Sequence, residues 1–339
     1  MSKHQFSFQR YWEKRVENYS PLLSFKAGDD FSSWKKDALS KLRSLIGEFP
    51  KKVDLAADID YRVDEGEFYR ERIVFDSEED MSVPCIMLIP KSDKLEGRAI
   101  VCSHGHGSFG KDPVTGIVSA PEYQADIDLM NYDYARQMAL KGFITITPDL
   151  RGFGERRDGD DYLGRDTCNV NYLKGSILGL YPLMLNIFDM TRVIDYLETR
   201  PEVDSNRIGM MGLSQGGTMT TFTSALEPRI KAADIIAYVN SFSEFGIKRG
   251  NFCGSQIVPE IYRYFDTSDI ASLIAPRPLL LEMGIYDSCF YFKDMFKAAE
   301  KVKLAYESAD AGDLIEYDIH PGMHAFSGVK APDFFMRNL

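Results

Sequence analysis

Ser214 stands between glycines in Gly212-Leu213-Ser214-Gln215-Gly216-Gly217, after an apolar run that starts at Ile208. A serine whose Oγ must stand clear at the end of a strand sits in a tight backbone turn, so the residues two before and two after it must be nearly free of side chain. Gly212 and Gly216 meet that requirement. Ile208, Met210 and Met211 suit a buried strand, while Thr218, Met219, Phe222, Ala225 and Leu226 continue as a helix. The N-terminus of that helix directs partial positive charge at the serine. The stretch reads as a nucleophile elbow.

A serine hydroxyl is a poor nucleophile at neutral pH and needs a base within hydrogen-bond reach. Two strand ends downstream supply candidates. The strand expected over 278–283 runs into Gly284-Ile285-Tyr286-Asp287, and the one over 314–319 is followed by Pro321-Gly322-Met323-His324. His324 would take the serine proton, and Asp287 would hold the other imidazole nitrogen and stabilise the imidazolium. Glu282 within the strand and Asp294 within the next helix are the rival acids, and His320 is the rival base.

An acyl-transfer site also needs donors for the oxyanion. The loop Ser103-His104-Gly105-His106-Gly107-Ser108 follows an apolar strand, and its glycines let main-chain N–H groups turn inward. The N–H groups of His106 and Gln215 are the expected pair. Gly105-His106-Gly107-Ser108-Phe109-Gly110 also satisfies G-x-G-x-x-G. That fingerprint requires a helix at once, and Pro113, Gly116 and Pro121 argue against a dinucleotide site. His104 and His106 have H-x-H spacing, but the sequence shows no ligand cluster beside them, so neither a metal nor a cofactor is expected.

The elements that must position these residues alternate. Residues 1–55 read as a helical extension: Trp34, Ala38, Leu39, Leu42, Leu45 and Ile46 recur at helical spacing, with Gly47 as the stop. Phe6, Phe8, Tyr11, Trp12, Tyr19, Phe25 and Phe31 are expected to pack that extension onto the rest. Residues 56–339 read as the catalytic domain, with strands over 68–75, 83–89, 98–102, 143–147, 232–239, 278–283 and 314–319. Helices are expected over 127–141, from Pro182 to just before Pro201, and over 292–306. Such alternation implies a mostly parallel sheet with helices on both faces. Inserts at about 109–124, 158–181 and 240–274 shape the pocket, carrying Tyr123, Tyr162, Tyr172, Tyr181, Phe242, Phe245, Phe252, Tyr262, Tyr264 and Phe265.

The 339 residues carry a net charge of −11 with no basic stretch, which argues against nucleic acid or anionic membrane as partner. Five scattered cysteines without a C-x-x-C pair favour free thiols in a reducing compartment. No apolar h-region accompanies Lys3, Arg10, Glu13, Lys14 and Arg15, so a cytoplasmic protein is expected. Its partner would be a small-molecule ester, and a homo-oligomer is compatible with the sequence.

The chain resembles the acetylxylan-esterase and dienelactone-hydrolase-like branch of the α/β-hydrolases over roughly residues 60 to 330. The likeness lies in His104-Gly105-His106-Gly107, Asp149-Leu150-Arg151-Gly152-Phe153-Gly154, the Ser214 stretch, Ala275-Pro276-Arg277-Pro278, and the order Ser214, Asp287, His324. It implies the α/β-hydrolase fold and a serine carboxylic-ester hydrolase without cofactor, acting on small acyl esters of a sugar or other alcohol. By the same likeness Arg151 ties loops together near the elbow. Sugar deacetylases of this kind carry Arg-Gly-Gln where this chain has Arg151-Gly152-Phe153, and His-Glu where it has His324-Ala325; dienelactone hydrolases use cysteine at the position of Ser214. A carbon–carbon bond hydrolase, a peptidase, and a catalytically silent binding protein are the alternatives on this fold.

Overall fold

The computed structural model describes residues 4–91, 96–158 and 164–339. Among them the strands are β1 (Asp58–Asp64), β2 (Phe68–Glu78), β3 (Met81–Pro90), β4 (Ala99–Ser103), β5 (Ile144–Pro148), β6 (Ile208–Leu213), β7 (Ile230–Ile236), β8 (Leu279–Gly284) and β9 (Ile315–His320). They form one sheet in the order β1-β2-β3-β5-β4-β6-β7-β8-β9. The pairings among β1, β2, β3 and β5 are antiparallel, and all those from β5 through β9 are parallel. β4 and β6 are buried along their whole length, as their unbroken apolar runs require for strands covered on both faces. Edge strand β1 is exposed throughout, and Asp58, Asp60, Arg62 and Asp64 keep that open edge charged.

The helices are α1 (Phe8–Val16), α2 (Phe31–Ile46), α3 (Lys111–Val114), α4 (Pro121–Met130), α5 (Tyr134–Leu140), α6 (Thr167–Leu178), α7 (Pro182–Leu197), α8 (Gln215–Leu226), α9 (Ile261–Tyr264), α10 (Thr267–Ser272), α11 (Phe292–Ser308) and α12 (Ala331–Asn338). α2 starts where Asp30 accepts the Ser33 N–H at 2.8 Å and ends at Gly47, whose φ of 95° suits glycine. Its face of Phe31, Trp34, Ala38, Leu42 and Ile46 joins the main core against α8. Full burial of a side chain such as Leu42 is worth about 1.5–3 kcal/mol. α7 and α8 are buried nearly all round because they lie between the sheet and other layers. No single described helix is long and apolar enough to cross a membrane.

Several expectations need correction. The stretch over 127–141 is two helices, because Asn131 takes the left-handed conformation at φ 49° and its side chain donates to the Phe326 carbonyl at 3.0 Å. The N-terminal aromatics divide. Phe25 packs edge-on and Phe31 at a tilt against Trp34 in the core, whereas Phe6, Phe8, Tyr11, Trp12 and Tyr19 are exposed. α1 buries no residue; Phe8, Tyr11 and Trp12 pack on one another, and Gln9 donates to the Lys248 carbonyl at 2.9 Å. The second insert contains α6, which its mixed Cys-Asn-Val-Asn-Tyr pattern concealed. Lys3 and Tyr162 lie outside the described residues.

Candidate active site

The β6–α8 turn holds Ser214 at φ 62° and ψ −115°, a conformation costing a non-glycine residue about 1–3 kcal/mol. It is held by the Ser214 N–H on the Ile236 carbonyl and the Thr218 N–H on the Ser214 carbonyl, each at 3.0 Å. The flanking glycines are steric necessities. A Cβ on Gly216 would lie 2.0 Å from the Ser103 carbonyl oxygen, and one on Gly212 would lie 2.6 Å from the same atom. β4 and the elbow are therefore in backbone contact.

Asp287, just beyond β8, is buried and fully engaged. Its Oδ1 accepts the N–H groups of Cys289 at 2.7 Å and Phe290 at 2.8 Å, and its Oδ2 accepts from His324 Nδ1 at 2.8 Å. Phe290 stacks on the His324 ring with centroids 5.6 Å apart. An imidazole held this way at Nδ1 presents Nε2 as a proton acceptor. His320 makes no hydrogen bond to Asp287 among the described residues, and its Nε2 is buried without a partner. Asp294 lies in the first turn of α11.

Glu282 sits inside β8 among buried acids. Its Oε2 accepts the Ser327 N–H at 2.9 Å, while Oε1 and both oxygens of Asp234 on β7 find no donor from another group. Two adjoining buried carboxyls short of donors are both disfavoured as anions. Burial, then the charges of Glu282 and Asp318, push the Asp234 carboxyl well above its ordinary range. Burial chiefly, with the Asp318 charge, pushes Glu282 up to about 8. Glu282 thus anchors the segment that follows His324 and does not approach the imidazole as Asp287 does.

The glycine loop after β4 treats its histidines differently. His104 is wholly buried: Nδ1–H donates to the Gly105 carbonyl at 2.7 Å and Nε2 accepts the Leu150 N–H at 3.0 Å, and burial holds its pKa down. The Gly105 N–H is taken by the Tyr132 hydroxyl. Among the described residues the N–H groups of His106 and Gln215 have no protein acceptor. The helix that follows Gly110 is the four-residue α3, in which buried Lys111 pairs with Asp149 at 2.9 Å. The H-x-H pair does not act together, and the apparent lack of ligands beside it holds only along the chain. His106 Nε2 lies 3.2 Å from Cys168 Sγ, with Cys253 beside them. Hydrogen bonding to Cys253 raises the His106 pKa, and bonds from Cys168 and His106 draw the Cys253 thiol down.

A cavity of about 700 Å³ collects these groups, lined by Gly105, His106, Ser214, Phe245, Phe252, Phe290 and His324 among others. Of the insert aromatics, Phe245 and Phe252 reach this wall, while Phe242 and Phe265 are core residues. Phe290 and Tyr132 line it as well and were not singled out in the sequence. Tyr132 became visible only with the break after α4, and Phe290 only with the turn around Asp287. Arg151 ties segments together: it donates to both oxygens of Asp189 at 2.8 and 2.7 Å and pairs with Glu78 at 2.7 Å.

The mostly parallel sheet, the strained serine after a buried central strand, and the histidine beyond the last strand define the α/β-hydrolase fold. A model of the Abhydrolase family matches residues 12–325, and the chain belongs to that family. "Putative hydrolase YtaP" of Bacillus subtilis (strain 168) is 25% identical over 278 residues, covering 80% of this chain and 88% of that protein. Among solved structures, a "putative acetyl xylan esterase (BF1801)" from Bacteroides fragilis NCTC 9343 superposes with a TM-score of 0.75 at 20% identity, covering 97% of this chain and 85% of the other. The "Glucuronoyl Esterase from Solibacter usitatus" gives 0.69 at 16% identity over 96% and 99%.

Proposed function

We propose that the protein is a serine-dependent carboxylic ester hydrolase. The observation that carries this reading is a strained Ser214 on the wall of the same cavity as a His324 bound through Nδ1 to Asp287. In the reaction the Ser214 hydroxyl attacks the ester carbonyl carbon as His324 Nε2 takes its proton. Negative charge on the carbonyl oxygen is received by the N–H groups of Gln215 and His106, each such donor being worth about 3 kcal/mol. His324 then protonates the departing alcohol, leaving an acyl group on Ser214. A water, deprotonated by the same nitrogen, releases the acid and restores the serine.

The substrate class proposed is a small acyl ester, of acetyl type, on a sugar or another small alcohol. Aromatic rings beside polar groups in the cavity suit a ring-shaped alcohol, and the structural neighbours named as carbohydrate esterases support the same class. Hydrolysis of short- and long-chain aryl esters, paired with fluorophosphonate labelling, tests the reaction. In Ser214→Ala the label is expected to vanish and kcat to fall on the order of 10⁶-fold. A wild type that neither labels nor turns over any ester overturns the reading.

A further inference from the structure

His106, Cys168 and Cys253 meet at the seam of two cavities. The main cavity is bordered by His106 and Cys253, and a neighbouring one of about 540 Å³ by His106 and Cys168. His106 Nε2 and the two Sγ atoms all lie within 4.8 Å of one another. One imidazole with two thiols is a donor set for borderline and soft cations. Ligand atoms on a tetrahedral Zn²⁺ stand roughly 3.5–3.8 Å apart, given Zn–S near 2.3 Å and Zn–N near 2.0 Å. Small side-chain rotations would bring the three atoms to that spacing.

The three residues lie on separate segments, and other contacts enforce their approach. Asp166 caps α6 by accepting the Cys168 N–H at 3.0 Å, and Asn169 Oδ1 accepts the Gly254 N–H at 2.9 Å. A Cβ on Gly254 would come within 2.2 Å of the Tyr172 Cβ, so glycine is what lets the Cys253 turn lie against α6. Ser255 Oγ sits 2.7 Å from Cys253 Sγ and accepts from Gln215 Nε2 at 3.0 Å. The cluster thus touches the elbow residue on one side and the glycine loop on the other.

We infer that His106, Cys168 and Cys253 form a binding site for a Zn²⁺-class cation, with the fourth coordination position open to the cavity, and that its occupancy lowers turnover. Each thiol binds as thiolate and releases its proton to solvent. The bound ion restrains His106, whose main-chain N–H is assigned to the oxyanion, and it restrains Gln215 through Ser255. The effect on turnover rests on the ester-hydrolase reading; the site itself does not.

Co²⁺ added to the reduced protein provides a spectroscopic probe. One equivalent per chain is expected to give thiolate-to-cobalt charge transfer in the near ultraviolet and intense tetrahedral d–d bands. Both should be lost in Cys253→Ser and Cys168→Ser and kept in Cys289→Ser. His106→Ala, on an exposed loop side chain, should lose the tetrahedral bands and serves if a cysteine variant does not fold. Zn²⁺ should then inhibit aryl-ester hydrolysis by up to about 100-fold in the wild type, the loss that follows removal of one oxyanion donor, and leave Cys253→Ser unaffected. Absence of a stoichiometric Co²⁺ spectrum, or a spectrum indifferent to the cysteine and His106 variants, overturns the site. Equal Zn²⁺ inhibition of the wild type and Cys253→Ser overturns the link to turnover. A protein inert toward every ester would fail the hydrolase reading alone, with the Co²⁺ spectrum still deciding the site.

Discussion

Asp287 and Glu282 lie five residues apart at the end of one strand and are about equally hidden from water, yet their surroundings are opposite. Three N–H donors converge on Asp287. Glu282 receives one, and faces Asp234, which receives none from other groups. Burial penalises both as anions, so the supply of donors decides the role. Asp287 accepts from an imidazole, whereas Glu282 and Asp234 are pushed toward their protonated forms and Glu282 braces the backbone beyond His324.

Exchange of each acid for its amide should break the symmetry most visibly. Asp287→Asn is expected to lower kcat on an aryl ester by about 10⁴-fold, because the amide favours the wrong imidazole tautomer. Glu282→Gln should leave kcat within a few-fold, since the amide imitates an acid that is already protonated; equal losses would refute the division of roles.

A third acid sharpens the contrast through stability. Burial raises the Asp189 pKa, but Arg156 and Arg151 outweigh it and hold the group below its ordinary value. Arg151→Met leaves that carboxylate short of a partner and should cost about 3–5 kcal/mol in denaturant unfolding. Asp234→Asn, which has no cation to lose, should cost less than 1 kcal/mol or stabilise the fold.

The same contrast predicts a pH trend. With its pKa raised from 4.5 to about 8, folded Glu282 keeps a proton that the unfolded chain has released. The folded state therefore binds more protons, and stability falls as pH rises from about 4.5 through about 8. The slope approaches about 1.4 kcal/mol per pH unit for one whole proton. The fall of unfolding midpoints across that range should become shallower in Glu282→Gln, the remainder coming from other buried carboxyls such as Asp234. A modest effect is expected at Tyr132→Phe, which unties the Gly105 N–H and should reduce kcat less than about tenfold, through a net hydrogen bond of about 1 kcal/mol.

Much of this arrangement was legible in the sequence because it depends on local steric rules. Gly212 and Gly216 around Ser214, Gly47 after α2 and Pro182 at the start of α7 each act within a turn of their own position. Apolar runs marked most strands, although β1 escaped because all its side chains face water and carry no burial pattern. Of the three residues read in the order Ser214, Asp287, His324, the first and last line one cavity, and Asp287 accepts from His324 Nδ1. What stayed hidden depends on segments meeting in space. Cys168 and Cys253 are 85 residues apart, and no periodicity links them. Tyr132 reaches Gly105 only because Asn131 turns the chain between two helices that read as one.

The Ser103 carbonyl serves as a common datum for the molecule's most exacting dimension. It accepts the Tyr134 hydroxyl and abuts both elbow glycines, so the strand that leads to His106 and the turn that carries Gln215 are gauged from the same atom. A Cβ at either elbow glycine would push on this one carbonyl, so the two segments are spaced by backbone and not by side chains. Change in the parts of the inserts remote from this contact would leave the datum itself in place.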